Sequence, residues 1–251
     1  LFSTQKITSS KKVLRHERIM MILLVAAVVF VASFFFIIIG DVIVKGGSSL
    51  HLDYLLQKEI NNPIGSGGFA NAFIGSLLLV GIAIGFATPL ALGAAIYTQE
   101  YVSPKNKISQ IILFASDTLA STPSIVYGAF GFIFFVLYLK FGFSLIAGGL
   151  TLGIMVVPLL LRSSIEALKS IPNDYREGSY ALGATKWQTI QHTVLPPASP
   201  MISSGVIISV GRAIGETAAV IFTAGYTAHI VTSLLAPAAS MPNLIYNYFQ
   251  L

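Results

Sequence analysis

Arg212 and Glu216 are a basic and an acidic residue four positions apart in a stretch, Ser199 to Ala224, that is otherwise free of charge. A charged side chain at the centre of a membrane helix costs ~2.5–3.5 kcal/mol on insertion scales, so two in one apolar stretch need a reason. On a helix their spacing places them on one face, where they can pair. A guanidinium offers a planar fork of donors that suits the oxygens of an oxyanion, and Glu216 would hold Arg212 and moderate its grip. The alternative is an ion pair that only seals the packing. Asp117, between Ser116 and Thr118, can line a pathway, pair with Arg212, or hydrogen-bond backbone freed near Pro123. Arg162 is expected just past the end of an apolar span, where it snorkels to the interface or contacts a passing anion.

The elements that must carry these residues are membrane helices. The chain has 251 residues, 55% hydrophobic and 10% charged, with a mean hydropathy of +0.80. Soluble domains carry roughly 25% charged residues, and disordered chains are poor in apolar ones. Both classes are excluded, and the fold class is an all-α integral membrane protein. There is no cysteine, hence no disulfide, thiolate metal site or cysteine nucleophile. His16, His51, His192 and His229 are scattered, so no metal site is expected, and no Ser-His-Asp or carboxylate pair reads as catalytic. The glycine cluster at 65–68 lacks the Gly-Lys-Ser/Thr ending of a phosphate loop.

A hydrocarbon core of about 30 Å needs around 20 helical residues. Residues 19–39 are apolar apart from Ser33 and form the first span, after a basic cytoplasmic tail at 1–18 and before an external loop at 40–72. Phe73 to Tyr97 is the second, with Gly75, Gly81, Gly85, Pro89 and Gly93 expected to let a neighbour approach. Ile108 to Leu139 is too long for one straight crossing at 1.5 Å per residue, and Pro123 should bend it. Phe143 to Leu161 and Ser199 to Ala224 follow, flanking a polar segment at 162–197.

The positive-inside rule sets orientation. Lys6, Lys11, Lys12, Arg15 and Arg18 share a side with Lys105, Lys107, Arg162, Lys169, Arg176 and Lys186 if residues 108–139 cross once. Only Lys45, Lys58 and Lys140 then face the other way. Five spans follow, with the N-terminus inside. The net charge of +5 thus has a topological cause, and nucleic-acid binding is not inferred.

The 162–197 segment carries helix punctuation. Ser170 and Pro172 suit a helix start, Asn173, Asp174 and Glu177 complement its dipole, and Gly183 suits a left-handed stop. Thr185 can cap a second short helix that ends before Leu195-Pro196-Pro197.

Glu177-Gly178-Ser179, Gly183 and Leu195-Pro196 resemble the coupling motif of type I ABC-importer permeases. That motif runs Glu-Ala-Ala, three residues, Gly, nine residues, then Ile-x-Leu-Pro. The spacing is kept, with Gly178 and Ser179 in place of the alanines and Thr193 in place of the isoleucine. Ala181 to Trp187, Gly211 to Ala219, and Pro123-Ser124-Ile125-Val126 with Asp117 upstream resemble more narrowly the PstA-type phosphate importer permeases. The resemblance covers roughly residues 70–251, and 73–251 is expected to be the permease core. It implies the type I importer transmembrane fold, with a sixth span expected beyond Leu251. It also implies a transmembrane subunit in a prokaryotic cytoplasmic membrane, in contact with lipid and without enzymatic activity of its own. The implied partners are a second homologous permease, cytoplasmic ATP-binding subunits holding ATP and magnesium, and an external phosphate-binding protein. A permease for sulfate, molybdate or an amino acid is an alternative. So are a proton-coupled carrier using Asp117 and Glu216 as a relay, and a non-transporting membrane scaffold or sensor.

Overall fold

A computed structural model describes residues 11–47, 68–102 and 106–249. The chain divides into two compact units, Leu1–Leu52 and Asp53–Leu251.

Among its described residues the first unit contains one helix, α1 (Lys11–Gly46). It is longer at both ends than the expected span. The second half of the basic tail is already helical, and Gly40 does not stop it. Lys45 and Asp41 form an i,i+4 ion pair at 2.9 Å, which supports the final turns. The expected loop at 40–72 is shortened accordingly, and its residues His51, Asp53, Glu59 and Pro63 lie outside the described residues. The large apolar side chains of α1 from Ile19 to Val44 are exposed, as a helix solvated by lipid requires.

The second unit is all helical among its described residues. Helix α2 (Ala70–Ile96) ends in a widened π turn at Tyr97–Tyr101. Helix α3 (Lys107–Ala120) is capped by Asn106, whose side chain accepts from the Ile108 N–H at 2.8 Å. Helix α4 (Ser124–Gly131) continues as a π segment at Phe132–Tyr138. Helix α5 (Leu145–Lys169) continues past Pro158 without a break. Two short helices, α6 (Asn173–Ala181) and α7 (Lys186–Thr189), precede a π segment at Ile190–Val194 and the long α8 (Leu195–Ile214). Helices α9 (Ala218–Thr223) and α10 (Met241–Phe249) complete the unit. Among the described residues four helices, α1 included, are long and apolar enough to span a membrane, and the bent α3–α4 pair makes a fifth if it crosses once.

The bend between α3 and α4 is 104°, far sharper than a proline kink. Pro123 removes a donor and restrains the residue before it, so the chain leaves the helix altogether at 121–123. The carbonyls freed there are satisfied by hydroxyls. Ser121 Oγ and Thr122 Oγ1 both donate to the Thr118 carbonyl at 2.9 Å, and the Tyr127 hydroxyl donates to the Leu119 carbonyl at 2.6 Å.

The core is the seam between α2 and α5. On α2 its small-residue face is built from Ala83, Ala87, Ala91 and Ala95, each fully buried and four residues apart, so that they stack on one side. Of the glycines expected to admit a neighbour, Gly75 does, against the Ala239 backbone, but the other three do not. A side chain at Gly81, Gly85 or Gly93 would meet nothing within 4 Å. The close approach comes instead from α5. A Cβ on Gly149 would lie 2.6 Å from Ile82, and one on Gly153 would lie 2.8 Å from Phe86. Small residues at the contact replace the hydrophobic drive that is missing in lipid.

Two further boundaries differ from expectation because a helix continues past the point where the sequence suggests a stop. Helix α5 continues through Arg162 to Lys169, so the polar segment at 162–197 begins in structure only after Lys169. The second short helix does not stop before the prolines. Pro196 and Pro197 lack N–H donors, and the π segment just ahead of them shifts the hydrogen-bond register, so α7 runs on into α8.

Candidate functional site

Asp117, on α3, and Arg162, on α5, form an ion pair across 45 residues of sequence. About half of each side chain is uncovered (51% and 52%). Of the two partners open to Asp117 from sequence, neither Arg212 nor the backbone at Pro123 takes it. Arg162 does, from within α5 about 10 Å before its end at Lys169.

Arg212 sits in the last turn of α8, about 25 Å along the helix from Leu195, where a cation complements the helix dipole. It is exposed. Glu216 lies outside the helix, since α8 closes at Ile214 with Gly215 as its cap. The expected i,i+4 pairing of Arg212 with Glu216 is therefore absent: it needs continuous helix, and the chain breaks between the two residues. Among the described residues no ion pair joins them. Glu216 is half-buried and borders a crevice of about 10 Å³ with Ser76, Leu79, Ala213 and Ser240, the room a single water needs.

A second group of residues builds a compact helical module after α5. Pro172 caps α6 with extended backbone (ψ 146°) and Asp174 lies in its first turn. Gly183 ends it at φ +82°, a left-handed conformation that costs other residues about 1–2 kcal/mol. The closure is a Schellman motif: the Ala184 N–H bonds the Ser179 carbonyl at 3.2 Å and the Gly183 N–H that of Tyr180 at 2.9 Å. Thr185 then opens α7 through a reciprocal capping box with Gln188. The Ser179 hydroxyl bonds the Thr189 hydroxyl at 2.9 Å, so the serine that replaces a motif alanine ties the two helices together. Glu177, Gly178 and Pro196 are exposed and Leu195 is half-buried. Tyr175, Trp187 and above all Leu182, 91% exposed, present apolar area outward.

Arg176 was legible only as a positive charge. In the structure it holds the module to the spanning helices. Its Nε lies 3.2 Å from both Glu100 oxygens and its Nη2 2.7 Å from Oε1. Nη1 and Nη2 also donate to the Ile171 and Leu168 carbonyls at 2.8 and 3.0 Å. The pair is buried, with side-chain exposures of 15% for Arg176 and 3% for Glu100. Beside it, the Lys186 ammonium lies 5.2 Å from the centre of the Tyr101 ring. No sequence spacing could have revealed a partner 76 residues away.

The family described as "Binding-protein-dependent transport system inner membrane component" matches residues 87–249. The chain belongs to this family. Its members are non-catalytic membrane components of transport systems, and the matched region contains Asp117, Arg162, Arg212, Glu216 and the whole α6–α7 module of this member. A probable ABC transporter permease protein, YqgI of Bacillus subtilis, is 35% identical over 74% of this chain and 63% of its own length. The phosphate transport system permease protein PstA 1 of Mycobacterium tuberculosis is 39% identical over 72% of this chain and 59% of its own. PstA of Xylella fastidiosa is 35% identical over 83% and 71%. The chain thus spans about three fifths of the length of the first two relatives.

Proposed function

We propose that the chain is the permease subunit of an ATP-driven importer of inorganic phosphate in a prokaryotic cytoplasmic membrane. It forms half of a translocation pore with a second, similar permease, and lies with its N-terminus inside. The observation that carries this is the α6–α7 module: motif spacing, closed caps, outward apolar residues and a buried anchor to the spanning helices. Such a body suits docking on a cytoplasmic ATPase subunit, with Glu177, Gly178, Ser179, Gly183, Leu195 and Pro196 shaping it. ATP and magnesium belong to that partner, and phosphate is delivered by an external binding protein.

Phosphate is favoured over other solutes by the names of two relatives given above and by the membrane guanidiniums. Arg212 and Arg162 lie at two depths, about 25 Å and 10 Å from the module ends of their helices. Each can offer forked donors to a tetrahedral oxyanion. Asp117 shares Arg162 with the passing anion, which keeps that site from holding its cargo too tightly. Half-uncovered charges of this kind belong against a water-filled path rather than lipid. The YqgI relative, whose name carries no solute, keeps another substrate as the second reading.

The deciding experiment is uptake of labelled phosphate into proteoliposomes holding the complete transporter and binding protein, with excess sulfate as competitor. Uptake that needs ATP and ignores sulfate is expected. Uptake driven by a proton gradient alone, or ATP-dependent uptake of sulfate only, would overturn the proposal.

A further inference from the structure

We infer that Arg176 and Glu100 form the joint through which the α6–α7 module moves α2 and α5 together, making Arg176 a positioning residue for coupling. The inference rests on the importer reading above and goes beyond it by saying where the stroke enters the membrane helices. A single guanidinium gathers three elements. It belongs to α6, it is bonded twice over to the carboxylate at the end of α2, and it caps two carbonyls, Leu168 and Ile171, at the end of α5. Removing any one of these contacts leaves a buried charge or carbonyl short of its partner. The module is therefore fixed to both helix ends and does not hang from the chain as a loop.

The surroundings of the pair show where the system can give: at the turn that carries Glu100 and at the far end of the module. Glu100 sits in the π turn at Tyr97–Tyr101, and the other end of the module leaves through the π segment at Ile190–Val194. Such π segments are rare interruptions of α-helix and are found frequently at functional sites. A polar cleft of about 320 Å³, bordered by Gln99, Lys169, Asn173 and Tyr180, opens directly beside the pair. The Lys186–Tyr101 contact supplies a second, softer tie to the same end of α2. A rigid pin flanked by adaptable turns passes displacement on to α2 and α5 and leaves α8 free to follow through its own π segment.

A lysine at 176 keeps the charge but has no planar fork to hold a carboxylate and two carbonyls at once. The test uses the complete reconstituted transporter and reads phosphate moved per ATP hydrolysed, with co-purification of the ATPase subunits as the measure of assembly. Arg176→Lys and Glu100→Gln should co-purify and hydrolyse ATP, yet move about tenfold less phosphate per ATP, within the span of ordinary coupling free energies. The chain has no cysteine of its own. In E100C/R176C on cysteine-free partners, a reversible bifunctional thiol reagent should restore the ratio, and reduction should abolish it again. A wild-type ratio in Arg176→Lys, or in the unbridged double cysteine variant, overturns the joint. A wild-type transporter without ATP-driven uptake overturns the importer reading instead, so the two failures are told apart.

Discussion

Arg162 and Asp117 neutralise each other on adjacent helices while about half of each side chain stays uncovered. This differs from a sealed core pair, because Arg162 can exchange its bond to Asp117 for one to an anion. Arg162→Gln is expected to reduce phosphate uptake more than Asp117→Asn, since the first removes the anion's donor and the second removes only its competitor. In a double-mutant cycle on thermal unfolding of the purified complex, so exposed a pair should couple by about 0.2–1 kcal/mol. A coupling of several kcal/mol would mean that the pair is sealed from water. Gly183 is a sharper case. Gly183→Val forces a branched side chain to φ +82°, at about 1–2 kcal/mol or more, and should uncouple ATP hydrolysis from uptake. Gly183→Asn should be tolerated, and equal activity in both would exclude the left-handed stop. This glycine was legible in the sequence because its constraint is local: a capped polar helix, a turn, then a second cap. The Arg212–Glu216 pair was misread for the converse reason. Side-chain spacing predicts contact only while the helix lasts, and nothing in Gly215 announces that α8 ends before Glu216.

Among the elements, the α2–α5 seam gives the clearest contrast between composition and placement. Glycines stand out in the sequence of α2, yet alanines face the partner, and the glycines that allow the approach belong to α5. Hydropathy in α2 is so uniform that no polar face marks which side is buried. Its inward face emerges only once α5 is packed against it. Gly149→Leu and Gly153→Leu should each destabilise by about 1–3 kcal/mol through overpacking against Ile82 and Phe86. Gly85→Leu, with nothing within 4 Å, should leave stability near wild type. The midpoint of thermal unfolding in detergent distinguishes the three, and equal midpoints would place the seam elsewhere. The α3–α4 element was legible as bent, through Pro123, but not in its angle. The hydroxyls of Thr118, Ser121, Thr122 and Tyr127 act together only after the chain has turned.

For the second unit as a whole, the absence of native cysteine makes sidedness directly measurable. Leu182→Cys, at the tip of the module, should react with a membrane-impermeant maleimide only from the cytoplasmic face. Lys140→Cys, in the turn after α4, should react only from outside. The reverse pattern would invert the topology inferred from the positive charges. Helix α2 is held at both extremes. Asn71 Nδ2 donates to the Thr227 carbonyl and Ser76 Oγ accepts from the Met241 N–H, each at 2.8 Å, while Glu100 takes Arg176 at the far end. This last contact constrains how the family can drift. Losing one member of a buried ion pair costs about 3–5 kcal/mol, so neither residue can change alone without passing through a weakened ancestor. Lineages should keep acid and base together or replace both, and positions 100 and 176 should covary across relatives although 76 residues of chain separate them.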